Sequence, residues 1–266
     1  VWSDKLRRYD DAKAIFAELL EENPGNRQAR QYLQRIHAQA GEFAELEAIY
    51  TKDKNVPGLM RFLDEFRLKD SDPERAKAAG LEMVRVADEV LKDKPKGRQT
   101  LEALLEQFPE DADLARRLLA AYPARKADMD VAKALAVLAD NADGQEAHDA
   151  AVRLADVLAK NGEHEAAYTR TLGLFLRTAR DGDYDQLDAV ADRAEASDSL
   201  DGFAMVLESL LEEGMPAAAR EELILQMAKI HLGRRKDVAR AREILEAELQ
   251  TSPDSIPILR ELERIH

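Results

Sequence analysis

The sequence predicts an all-α chain made of repeated helix pairs. Three observations carry that reading. The composition is 45% hydrophobic and 35% charged but only 5% aromatic, and it is rich in the strong helix formers Ala, Leu, Glu, Arg and Lys. Apolar residues recur at steps of three and four, the period of one helix face, and no long β-branched run with period two interrupts them. The pattern around Ala12 returns at Leu46, 34 residues later, a spacing that marks stacked helical units.

The elements follow in order. Trp2 to Arg8 reads as the end of one helix, and Asp10-Asp11 as the acidic start of the next, where a carboxylate suits the positive end of the dipole. Ala12, Phe16 and Leu19 form its packing stripe, and Asn23-Pro24-Gly25 ends it, since residues before proline avoid the α region. Arg27 to Ala40 is a helix with the stripe Ala29, Leu33, Ile36 and Ala40, closed by Gly41. Phe43, Leu46 and Tyr50 mark the following one. Pro57 opens a short helix over Gly58 to Leu68, and Asp72-Pro73-Glu74 opens another, with Asp as N-cap and Pro in the first turn. Its amphipathic pattern runs from Ala76 to Leu91, and Lys92 to Gly97 reads as a solvated turn before Leu101, Leu104 and Pro109.

Asp111 to Tyr122 and Asp128 to Ala142 form a pair separated by Pro123. Glu146 to Lys160 carries Ala151, Leu154, Ala155 and Leu158, followed by Gly162, Ala167 and Thr171. Tyr184, Leu187 and Val190 share one helix, and Phe203, Leu207, Leu210 and Leu211 the next. Ala217 to Leu232, with small Ala228, precedes the basic turn Gly233 to Lys236. Ala241, Leu245 and Pro253 then repeat the opening pattern, and Ser255-Ile256-Pro257 starts a last helix towards His266.

Tyr9, Ala12, Phe16, Leu19 and Pro24 stand at the spacings of the second helix of a tetratricopeptide (TPR) repeat, and the chain resembles that family, in particular the degenerate arrays of large bacterial, myxobacterial-type proteins. The resemblance is strongest at 1–50, 146–171 and 217–266, with looser helical stretches at 51–145 and 172–216. Arg7 in place of a turn glycine, Leu46 and Gly97 in place of Ala, and Glu248 at a usually small position depart from it. It implies a right-handed α-α solenoid of about seven helix pairs, read as a single superhelix over 1–266.

Composition and motifs exclude much else. A formal net charge of −14 opposes binding to phosphate backbones, so no nucleic-acid partner is expected. The chain has no cysteine, hence no disulfide and no thiolate chemistry. No apolar run reaches the roughly 18 residues of a membrane span, and a cytoplasmic location is expected, with the periplasm left open. His37, His148, His164, His231 and His266 form no i, i+3 or i, i+4 pair, so no metal site is expected. Asp181 to Asp185 looks like a calcium loop, but Gln186 and Asp192 occupy the positions that need Gly and Glu. No nucleophile and base can be paired, and neither a catalytic site nor a cofactor is expected.

In TPR domains, positions 2, 5, 9 and 12 of the first helices often contact a peptide. The resemblance therefore implies a protein-binding groove at Gln28, Gln31 and Arg35, at Asp149, Val152 and Asp156, and at Glu222, Leu225 and Lys229. The Lys/Asn set that grips a terminal carboxylate is absent. The expected function is a non-catalytic protein-interaction scaffold whose concave face holds a helix or extended peptide. A self-assembling component joined through open terminal repeats is the alternative, and the regulatory domain of a longer enzyme a further one.

Overall fold

The computed structural model describes residues 2–123, 129–180, 183–212, 217–233 and 236–265. It is all-α, an α-solenoid of consecutively packed helices with no β-strand among the described residues. The chain divides into two compact units, Val1–Ala124 and Arg125–His266. The first contains α1 (Trp2–Glu22), α2 (Arg27–Ala40), α3 (Phe43–Lys52), α4 (Val56–Lys69), α5 (Pro73–Arg85), α6 (Lys94–Gln107) and α7 (Ala112–Ala121). The second contains α8 (Met129–Asn141), α9 (Gly144–Lys160), α10 (His164–Arg180), α11 (Leu187–Ala196), α12 (Leu200–Glu212), α13 (Ala217–Gly233), α14 (Val238–Thr251) and α15 (Ile256–Ile265). Within each unit every helix packs on the next in sequence.

Short polar caps punctuate the helices. Asn26 accepts from the Ala29 N–H, Asn55 from Gly58, Asp93 from Lys96, Asp111 from Leu114 and Asp237 from Arg240. Each side chain satisfies a donor that the first helical turn leaves unpaired. At the end of α2, Gly41 takes φ +75°, and the N–H groups of Gly41 and Glu42 return to the carbonyls of Ala38 and His37. Only a residue without Cβ enters that left-handed turn at no cost.

Three expectations are corrected. The break foreseen near Tyr9 does not occur, because α1 runs unbroken from Trp2 to Glu22. Its sequence offers neither Gly nor Pro before Asn23, so nothing stops the hydrogen-bond ladder. Leu19, assigned to the packing stripe, is 38% exposed, while Phe16 stacks on Tyr32 of α2 at 5.2 Å between ring centroids. The basic turn expected over Lys92–Gly97 already contains the first turn of α6, with Pro95 in it. Arg234-Arg235, Asp181-Gly182 and His266 lie outside the described residues.

After Arg85 the helix widens into a π-helical segment, Val86–Val90, before a turn at Lys92. The Leu91 N–H reaches back five residues to the Val86 carbonyl at 2.9 Å. Val86 and Ala87 are fully buried there.

Each unit has its own core. In the first, Leu46, Leu59, Leu63, Ala79, Val86 and neighbours form one cluster. In the second, Phe175, Phe203, Leu207, Leu223, Ala228 and Leu245 centre a larger one. The expected signature residues Ala151, Leu154, Ala155, Leu158, Ala167 and Thr171 are buried. Tyr184 stands before α11 rather than on it, and meets the edge of Phe175 at 6.1 Å. Glu248, the departure from a small residue, is buried and accepts from Arg220 Nε at 2.8 Å; the pair joins α13 to α14, and the buried charge is matched.

Gly80 sets the approach of α5 to α6. A Cβ there would stand 2.3 Å from Leu104 Cδ2 and 3.0 Å from its Cγ, and Leu104 is fully buried. Gly80→Ala therefore gains about 1 kcal/mol of helix propensity but forces an overpacked contact that costs typically 1–3 kcal/mol. The expected net effect is destabilisation in urea unfolding. In a Leu104→Ala background the same substitution becomes neutral or stabilising, and an equal cost in both backgrounds would refute the contact.

The start of α5 is held by charge. Asp72 accepts from the Glu74 and Arg75 N–H groups, while Arg75 donates to both oxygens of Asp70 at 2.7 and 3.1 Å. The Arg75 hydrogen bonds hold the Asp70 carboxyl below the usual carboxylate range, against the opposing effect of burial. A depressed folded-state value gives stability that is present above the unfolded value of about 4 and is lost as pH falls through the folded one. Asp70→Asn should therefore be less stable than the parent at pH 7, with the gap closing in acid. A gap independent of pH would exclude the ion pair as its source.

Candidate functional site

The site begins with helical spacing. Gln28, Gln31 and Arg35 are separated by three and four residues, so α2 presents them on one face. α4 does the same with Arg61 and Glu65, and with Phe62 and Phe66. Between these faces lies a groove of about 790 Å³, within the range of roughly 300–1,000 Å³ usual for ligand clefts. Tyr50 from the end of α3 and the Asp70-Ser71 turn before α5 complete it.

Gly58 gives the groove part of its depth. The Asn55 side chain folds over the start of α4 to accept from the Gly58 N–H at 3.0 Å, and a Cβ on Gly58 would stand 2.4 Å from Asn55 Nδ2. The same glycine thus admits the cap and leaves the groove wall open. Phe62 lies 6.2 Å from Tyr50 and 6.3 Å from Phe66, centroid to centroid. Together with Tyr32, which is 46% exposed, these rings make an aromatic lining. Burial pushes the Tyr50 hydroxyl up from its ordinary value.

The polar lining divides into satisfied and unsatisfied groups. Arg75 is engaged by Asp70, and Lys69 lies 3.3 Å from Glu65. Arg35 and Arg61, among the described residues, pair with no carboxylate. Arg35 acts on Asp70 only through space, and Arg61 likewise on the Tyr50 hydroxyl. Gln34 faces the groove from α2 with only 7% of its surface exposed, and its amide has no hydrogen-bond partner among the described residues. The amide atoms themselves are not sealed from solvent, so they are open to a partner in the groove.

Of the nine residues singled out from the sequence, the groove brings together Gln28, Gln31 and Arg35. The other six belong to the second unit. On α9, Asp149 is exposed and accepts from Gln145 at 2.8 Å, Val152 is half-buried, and Asp156 accepts from Arg193 Nη2 at 2.5 Å. On α13, Glu222 and Lys229 are exposed, Lys229 lies 3.4 Å from Gln226 Oε1, and Leu225 packs against the core. Asp156 is thus already committed to an ion pair with α11. The groove residues missed in the sequence are Gln34, Arg61 and Phe62. The helix that carries Arg61 and Phe62 offers no repeat signature that would align Arg61 with Arg35.

The remaining candidates resolve into structural roles. His37 Nδ1 lies 2.7 Å from Glu42 Oε2, beside the Lys13–Glu42 ion pair at 2.6 Å. The Lys13 hydrogen bond chiefly, and His37 with it, holds the Glu42 carboxyl below the usual range against its partial burial. His231 is buried within α13. Among the described residues no cluster of three or more His, Asp or Glu side chains could hold a metal ion. No described helix is long and apolar enough to cross a membrane.

No family model matches the sequence, and no curated protein matches it. Among solved structures the chain is similar to a tetratricopeptide repeat protein from Parabacteroides merdae ATCC 43184, with 15% identity over 99% of this chain and 94% of that one and a TM-score of 0.31. That likeness lends no weight to the fold or the site, which rest on the helices and side chains described above.

Proposed function

We propose that the chain is a non-catalytic protein-interaction scaffold and that the groove between α2 and α4 receives a peptide segment of its partner. The observation that carries this reading is the convergence of exposed Gln28, Gln31 and Arg35 with the aromatic side chains of α4 in one groove of about 790 Å³. Such a surface offers apolar area for affinity and polar groups for orientation. The sets on α9 and α13 repeat the same three-and-four spacing and serve in this reading as further contact positions. Asp156 contributes least, because Arg193 already neutralises it.

A second reading has its own support. Ile15 and Leu19 on α1 are exposed one turn apart, and so are Ile256 and Leu259 on α15. Apolar pairs at helical spacing suit helix-to-helix contact, and self-association through them is the structural alternative. Light scattering over a concentration series decides it: growth in mass that Ile15→Glu or Leu259→Glu abolishes supports assembly, and a constant monomer mass rejects it.

For the scaffold, a random 12-residue display library is the direct test. Peptides selected by the parent chain should lose at least about tenfold in affinity, or about 1.4 kcal/mol, against Gln31→Trp, which fills the groove from an exposed helical position. Circular dichroism should show that variant folded. Failure to select any peptide, or equal binding by Gln31→Trp, would reject the groove.

A further inference from the structure

The lining of this groove specifies its occupant more closely than a protein of any kind. Four cationic side chains, Arg35, Arg61, Lys69 and Arg75, face two carboxylates, Glu65 and Asp70. The chain as a whole carries −14, so the groove inverts the sign of the molecule around it. The two ion pairs account for Lys69 and Arg75. The uncompensated guanidiniums are therefore Arg35 on α2 and Arg61 on α4, one on each wall. Guanidinium groups bind carboxylates through paired N–H donors.

The amides decide the conformation of the occupant. Gln28 and Gln31 stand exposed along one wall, Gln34 is nine-tenths buried and aimed into the groove, and none of the three has a hydrogen-bond partner among the described residues. Each side-chain amide both donates and accepts. A bound helix has already satisfied its own backbone N–H and C=O groups, and it would offer none of them to the Gln34 amide. An extended segment has backbone groups to offer at every residue. Tyr32 and Phe62 provide an apolar contact between the charged walls.

We propose that the groove binds an acidic peptide segment in extended conformation. Its carboxylates meet Arg35 and Arg61, its backbone meets the Gln34 amide, and one of its apolar side chains lies against Tyr32 and Phe62. Nothing in the lining selects a free chain terminus, so an internal segment fits as well as a tail. This inference rests on the scaffold reading above and narrows it to one chemistry.

The experiment compares libraries selected on the parent chain and on Arg35→Glu/Arg61→Glu. The parent should enrich Asp and Glu around one apolar position, and fluorescence anisotropy should give affinities that fall with added salt. The double reversal should weaken those peptides by at least about tenfold and enrich Lys and Arg instead. Both arginines are exposed, so thermal melts should coincide with the parent. Gln34→Leu replaces a groove-facing amide that has no protein partner with an apolar side chain of similar size. It should weaken the acidic peptides several-fold while leaving stability equal or higher, a combination that a merely structural role for Gln34 would not give.

Selection of neutral or basic peptides by the parent would overturn the acidic assignment and leave the scaffold standing. Acidic peptides that ignore the double reversal would overturn it too, because they would bind elsewhere. Displacement of the selected peptides by a single-stranded oligonucleotide at comparable concentration would show a general anion site instead. Absence of any selected peptide would reject the scaffold reading itself.

Discussion

Close approach of consecutive helices is the constraint on which the structure depends. Each helix buries its stripe chiefly against the helices next to it in sequence, so the contact positions must be small or deeply interlocked. Ala76, Ala79 and Gly80 on α5, Ala151 and Ala155 on α9, Ala228 on α13 and Ala241 on α14 are all buried at such contacts. Where a larger residue enters, its partner yields: Leu104 occupies the space that Gly80 leaves. Burying one leucine in this way stabilises the fold by about 1.5–3 kcal/mol, a large fraction of the 5–15 kcal/mol typical of a domain. Low aromatic content is the compositional trace of the same constraint.

Aromatic side chains serve both as core fillers, as Phe175 and Phe203 do in the second unit, and as a lining where the packing of the first unit opens. Tyr32, Tyr50, Phe62 and Phe66 surround the α2–α4 groove, and the Asn55 cap with Gly58 keeps a wall of it free of side chains. Gln34 opens on the groove from an otherwise buried position, its amide in reach of solvent and without a protein partner. Leucine at that position would bury more apolar surface, so the amide marks a place where stability and binding pull in different directions.

Much of this was legible in the residues themselves. The caps Asp72 and Gly41, the bounds of α2 and the buried faces of α9 and α14 follow from local rules that act within a few residues. Gln28, Gln31 and Arg35 were found because helical spacing fixes which side chains share a face. Arg61 and Phe62 were not, because their place opposite α2 depends on how α4 packs, which no local rule encodes. The unbroken α1 shows the reverse error: a family pattern suggested a turn near Arg7 where the chain lacks any residue able to stop a helix. The ion pair that ties Asp156 to Arg193 spans 37 residues of sequence, and spacing alone could not reveal it.

The π-helical segment at Val86–Val90 has a wider effect than its five residues suggest. A single wide turn inserts a surplus residue into the helical ladder, and a residue advances a helix by about 100°. The residues of the wide turn are therefore out of phase with the face of α5 before them. A period of 34 residues counted from Ala12 and Leu46 reaches Gly80 on α5, ahead of the wide turn, and Gly97 of α6 lies directly against Asp88 of that turn. The turn also fastens the next helix: the Asp93 N–H returns to the Ala87 carbonyl at 2.8 Å, and the Asp93 side chain caps α6. The small residue at Gly97 thus answers to the wide turn that stands against it, and a five-residue irregularity in one helix fixes how closely the next can approach.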